Sequence, residues 1–118
     1  MGRIVGIGVD VVDLARFERA LDRTPRLRER LFVDNERELP LRSLAGRFAA
    51  KEALMKALGV TDGVTWHDMR VISDAEGNPD FVVSGRAAEI VTQRGIGSLH
   101  LSMSHDAGVA IAFVVAES

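Results

Sequence analysis

The chain has 118 residues, 47% hydrophobic and 27% charged, a balance that predicts one globular domain over residues 1–118 with a single core. The absence of cysteine excludes disulfides, thiolate nucleophiles and cysteine-ligated zinc. A net charge of −2, no tyrosine and no nucleic-acid motif argue against nucleic acid as a partner, and no apolar run is long enough to span a membrane.

The N-terminus passes from Met1-Gly2-Arg3 directly into strand-like sequence, without the apolar region and cleavage site of a leader. A cytoplasmic location is therefore expected. Ile4, Val5, Ile7, Val9, Val11 and Val12 predict a first strand over 2–12, interrupted by Asp10. Gly6 and Gly8 form a Gly-x-Gly, but the third glycine of a dinucleotide fingerprint is missing and no helix opens at once. Asp13 is placed to cap a helix running to about Leu21. Thr24-Pro25 restarts the chain into a short helix with Leu27 and Leu31 one turn apart. Asp34 is expected to cap another short helix toward Leu39, ended by Pro40, and Ser43 to cap the next.

Arg47 to Gly59 consists of strong helix formers closed by a glycine suited to a C-terminal cap. Apolar residues appear nearly all round it, as in a helix buried in a core. Both lysines of the chain, Lys51 and Lys56, and Glu52 are threaded through it, and a buried charge is costly without a partner. Beyond it, Asp62-Gly63 marks a turn. Val71-Ile72 and Phe81-Val82-Val83 flank the Gly77-Asn78-Pro79 turn as a hairpin, and 85–94 reads as a helix. Leu99 to His105 and Val109 to Val115 are two closing strands. Strands at both ends with helices between them predict an α+β fold, a mostly antiparallel sheet wrapped around the long central helix.

Glu52 and Lys56 have the i,i+4 spacing of an ordinary helix ion pair. Asp10 and Glu52, however, are both carboxylates in apolar surroundings, and such groups are either paired or bind a cation. Two carboxylates that leave room for water and ligand oxygens suit Mg²⁺, with Lys56 and Arg47 as phosphate contacts beside it. Ser104-His105-Asp106 is not a catalytic triad, because consecutive strand residues point to opposite faces. His105 reads instead as a phosphate or ribose contact, or as a group that orients the nucleophile. Six arginines between Arg16 and Arg30 face three acids, so this stretch is either a solvated surface or a dock for an acidic partner. A non-enzymatic binding module would account for those arginines, but not for Asp10 and Glu52 together.

Gly6-Ile-Gly-Val-Asp10-Val-Val-Asp13, Gly46-Arg-Phe-Ala-Ala-Lys-Glu52-Ala-Leu-Met-Lys56-Ala-Leu-Gly59 and Leu101-Ser-Met-Ser-His105 together resemble the three signatures of the holo-[acyl-carrier-protein] synthases, the small 4'-phosphopantetheinyl transferases. The resemblance implies an enzyme that moves 4'-phosphopantetheine from coenzyme A to a serine of apo acyl carrier protein, releasing adenosine 3',5'-bisphosphate. Asp10 and Glu52 would be the Mg²⁺ ligands, and Lys56 would face the pyrophosphate, giving these three the catalytic roles. Arg47, His105 and Gly59 would join Lys56 on the coenzyme A side. The segment Leu39–Ser43 is short where relatives carry a longer basic loop, leaving Arg42 as its contact for the nucleotide end. Arg16, Arg23, Arg26 and Arg30 fall where the family docks its carrier protein. A homotrimer with active sites at subunit interfaces is also implied. Glu52, Asp106 and a metal-bound water all stay open as the group that takes the serine proton.

Overall fold

A computed structural model describes residues 2–118. The first strand, β1 (Ile4–Asp13), runs directly into α1 (Leu14–Arg23), and Asp13 caps that helix by accepting the Arg16 N–H at 2.9 Å. Two short helices follow, α2 (Leu27–Leu31) and α3 (Asp34–Arg37), and then the long α4 (Leu41–Leu58). The hairpin β2 (Met69–Ser73) and β3 (Pro79–Val83), helix α5 (Gly85–Gln93), and strands β4 (Ser98–Asp106) and β5 (Val109–Glu117) complete the order. The fold is α+β, as the strand and helix patterns predicted.

Two expected caps differ. The central helix begins at Leu41 with Pro40 before it, not at Ser43; proline has no N–H to leave unpaired there, and its fixed φ suits a helix start. Asp34 lies inside α3, and Val33 precedes it, its N–H held by the Glu36 carboxylate at 3.0 Å.

Strands β1, β5 and β4 form an antiparallel sheet in that order. Asp10 stands opposite Ala112, which stands opposite Met103; Val12 stands opposite Ala110, which stands opposite His105. The β5 side chains facing inward are Ala110, Ala112, Val114 and Ala116, all buried. Ala45, Ala49, Ala50, Ala53 and Ala57 of α4 are buried as well. Small residues on both elements bring helix and sheet backbones close. The approach is tightest at Gly6 and Gly8, where a Cβ would overlap the carbonyl oxygens of Ala57 and Ala53. The Gly-x-Gly of β1 is thus a packing device, and it sets the height of Asp10 against α4.

Candidate active site

Asp10 leaves β1 toward α4, where Glu52 and Lys56 lie one turn apart. Lys56 Nζ donates to the Val9 carbonyl at 2.9 Å and to Asp10 Oδ1 at 3.2 Å. The lysine therefore pairs across to the strand rather than back to Glu52, and the simple helix ion pair does not form. Of Lys51, Glu52 and Lys56, only Lys51 is fully buried; Glu52 is half-buried and Lys56 is exposed. The Glu52 carboxyl is pushed above its ordinary pKa, first by burial and then by the charge of Asp10, with Lys56 opposing. Two carboxylates held together in this way favour a proton or a cation between them. Among the described residues, no group of three or more His, Asp or Glu side chains is placed to hold a metal ion. Asp10 and Glu52 offer two ligands and leave the remaining positions to water or substrate.

Asp10 and Glu52 border a cleft of about 380 Å³, walled also by Arg16, Phe17 and Phe48. Aromatic packing braces the wall: the Phe48 ring stacks on Phe17 with centroids 5.2 Å apart and lies 5.5 Å from the Trp66 ring.

Arg42, Arg47 and His105 meet in a different cleft, of about 330 Å³, together with Ser43, Ser73 and the hairpin turn at Gly77 and Pro79. Arg47 Nε is buried there with no hydrogen-bond partner. Burial lowers the pKa of the Arg47 guanidinium, and the Glu36 charge opposes that shift. A cation held in this state is ready for an anion that enters the cleft. Ser104 lies opposite the exposed Ile111, and His105 opposite the buried Ala110, the alternation that rules out a triad. Ser73, Gly77 and Pro79 carried no sign of a site in the sequence beyond a turn, because their nearness to the start of α4 arises only from tertiary packing.

The arginine stretch is divided. Arg16 lines the Asp10 cleft, whereas Arg26 and Arg30 line a shallow basic depression with Arg37, which sequence reasoning passed over. Arg23 ends α1 between them. Arg37 braces this region by donating to the Phe32 carbonyl at 2.9 Å and the Glu29 carbonyl at 3.1 Å. Gly59 closes α4 in the left-handed conformation, with φ 75°.

The residue pattern and the fold both have clear counterparts. Residues 6–114 match the family model described as the 4'-phosphopantetheinyl transferase superfamily. The chain is 62% identical over 114 residues to the holo-[acyl-carrier-protein] synthase of Leifsonia xyli subsp. xyli, covering 97% of each chain. It superposes on the crystal structure of holo-[acyl-carrier-protein] synthase from Neisseria meningitidis with a TM-score of 0.88 at 35% identity, covering 98% of this chain and 100% of that one. The Helicobacter pylori enzyme, solved in complex with coenzyme A, gives a TM-score of 0.82 at 34% identity over 93% of this chain and 98% of that one. The chain belongs to the 4'-phosphopantetheinyl transferase superfamily, within its holo-[acyl-carrier-protein] synthases.

Proposed function

We propose that the chain, acting as a single domain, transfers 4'-phosphopantetheine from coenzyme A to a serine of apo acyl carrier protein, yielding holo-carrier protein and adenosine 3',5'-bisphosphate in a Mg²⁺-dependent reaction. The observation that carries this reading is the grouping of three charges: Asp10 and Glu52 line one cleft, and Lys56 pairs with Asp10 beside it. Glu52, destabilised as an anion by burial and by the neighbouring Asp10 charge, and Asp10 together leave open positions that fit Mg²⁺, which keeps waters and shares substrate phosphate oxygens. When bound, that ion supplies charge neutralisation on the phosphates.

The protein's own groups do the rest by position and charge. Asp10 and Glu52 are the metal ligands. Lys56 is an exposed point charge within reach of a pyrophosphate beside Asp10. Arg47, Arg42 and His105 form the nucleotide end of the coenzyme A site, aided by the Ser43 and Ser73 hydroxyls. Gly59 lets the chain leave α4 sharply next to Lys56. Asp106 spends Oδ1 on the Ala107 N–H at 2.9 Å and lines neither cleft, which weakens it as the group that takes the serine proton.

The Asp10 and Arg47 clefts have separate linings within one chain. In addition, Ile7, Val9, Val11, Ile111 and Phe113 are exposed on the outer face of the sheet, an apolar patch suited to burial between subunits. Both features support a homotrimer in which sites are completed between neighbours. No helix among the described residues is long and apolar enough to cross a membrane, and a cytoplasmic enzyme is our reading.

Incubation with apo carrier protein, coenzyme A and Mg²⁺ should add one phosphopantetheine, detected by mass spectrometry; no addition at any Mg²⁺ concentration would sink the assignment. Arg23, Arg26 and Arg30 are the carrier dock, with Arg16 at its inner edge beside Asp10. Reversing Arg23 and Arg30 to glutamate is expected to raise the KM for carrier protein about tenfold or more while the KM for coenzyme A moves less than about twofold. Equal losses for both substrates would remove these arginines from the dock.

A further inference from the structure

One buried group has no part in the chemistry above. Lys51 and Glu36 are both fully buried, with Nζ 2.7 Å from Oε1. Lys51 also donates to the Leu31 carbonyl at 2.8 Å and approaches the Trp66 carbonyl at 3.4 Å. Glu36 is fully occupied in turn. Its Oε1 accepts the Val33 N–H at 3.0 Å, and its Oε2 accepts the Val71 N–H at 3.1 Å.

Arg47 lies one turn before Lys51 on α4, and the Glu36 charge reaches it. Two cations thus share one interior carboxylate, and Lys51 holds it. Arg47 keeps its charge but leaves its buried Nε without a partner, and the residue lines the cleft it shares with Arg42 and His105. We infer that Lys51 is a positioning residue for coenzyme A: by occupying Glu36 in the core, it prevents Arg47 from pairing with that carboxylate and leaves the guanidinium for a phosphate. The inference rests on the reading of the Arg47 cleft as the nucleotide end of the coenzyme A site. Without Lys51, Glu36 would be a buried carboxylate lacking a counter-ion, a state costly enough to draw in the nearest cation.

The test is a double-mutant cycle on coenzyme A binding, measured by calorimetry in the absence of carrier protein, with circular dichroism confirming the fold. Lys51→Met is expected to weaken coenzyme A about tenfold or more, appearing in KM with kcat changed less than about threefold. In an Arg47→Ala background the same substitution should have no further effect. Independent, multiplying losses would overturn the inference, because a general loosening of the core would act with or without Arg47. So would a Lys51→Met protein that binds coenzyme A like wild type.

If Lys51→Met does not fold, Lys51→Met combined with Glu36→Leu removes both charges, an exchange buried pairs often tolerate. Arg47 then has no competing carboxylate, and affinity should return to within about threefold of wild type. An affinity no better than that of Arg47→Ala would overturn the inference. Equal affinities for wild type and Arg47→Ala would remove the cleft reading and this inference with it.

Discussion

Glu52→Gln is expected to lower phosphopantetheine transfer by about 10³-fold or more, as loss of a group that stabilises charge at a reacting phosphate does, while the protein stays folded. The same substitution should raise stability near neutral pH. Burial and Asp10 lift the Glu52 pKa above its ordinary value, so folding favours the protonated side chain. For a group whose folded pKa is raised, the stabilising contribution is complete below the unfolded pKa and is lost as pH rises through the folded value. Glutamine stays neutral throughout. The variant should therefore melt above wild type at pH 7–8, and the difference should shrink to nothing as pH falls below the ordinary glutamate range. Mg²⁺ should raise the melting temperature of wild type at pH 8 and leave that of the variant unchanged. Thermal denaturation across pH, with and without Mg²⁺, reads all three effects. An active variant, or one that melts lower at neutral pH, would take Glu52 out of the site.

Gly8→Ala should be the most damaging small substitution in the chain. The added methyl would be driven into the Ala53 carbonyl oxygen and would also crowd the Ala57 nitrogen, both backbone atoms of α4 that cannot rotate aside. Strand and helix would have to part along their length, and a cost of about 4 kcal/mol or more is expected. Against a typical total stability of roughly 5–15 kcal/mol, that is enough to leave the protein largely unfolded on mild warming. Gly6→Ala should behave in the same way against Ala57. Gly46→Ala is the control. It lies inside α4, and its new methyl would meet nothing closer than Met103 Sδ at 3.7 Å, so helix propensity should make it neutral or stabilising by up to about 1 kcal/mol. Urea denaturation of the three variants tests the contrast; a Gly8→Ala protein as stable as Gly46→Ala would show that the close approach is not required.

Local patterns in the sequence carried most of the architecture. The β-branched run of β1, the Asp13 cap, the helix ending at Gly59 and the hairpin around Gly77 are each specified by residues within a few positions of one another. Asp10 and Glu52 were legible for a related reason: a carboxylate inside an apolar strand or helix is anomalous by itself. The ion pair that the i,i+4 spacing of Glu52 and Lys56 permits does not form, because such spacing allows contact without choosing it. The Val9 carbonyl and the Asp10 carboxylate, brought in by β1, offered Lys56 two acceptors together.

What the sequence by itself determined was the set of chemical groups and the elements that bear them, since backbone periodicity and capping depend on near neighbours. Tertiary structure alone decided the rest. It paired Lys51 with Glu36, fifteen residues away. It brought the β2–β3 turn to the start of α4, and it separated Arg47 and His105 from Asp10 and Glu52 into different clefts. Each of these depends on how closely α4 settles onto the sheet, a distance fixed jointly by the glycines of β1 and the alanines of β5 and α4 and not written in any one segment.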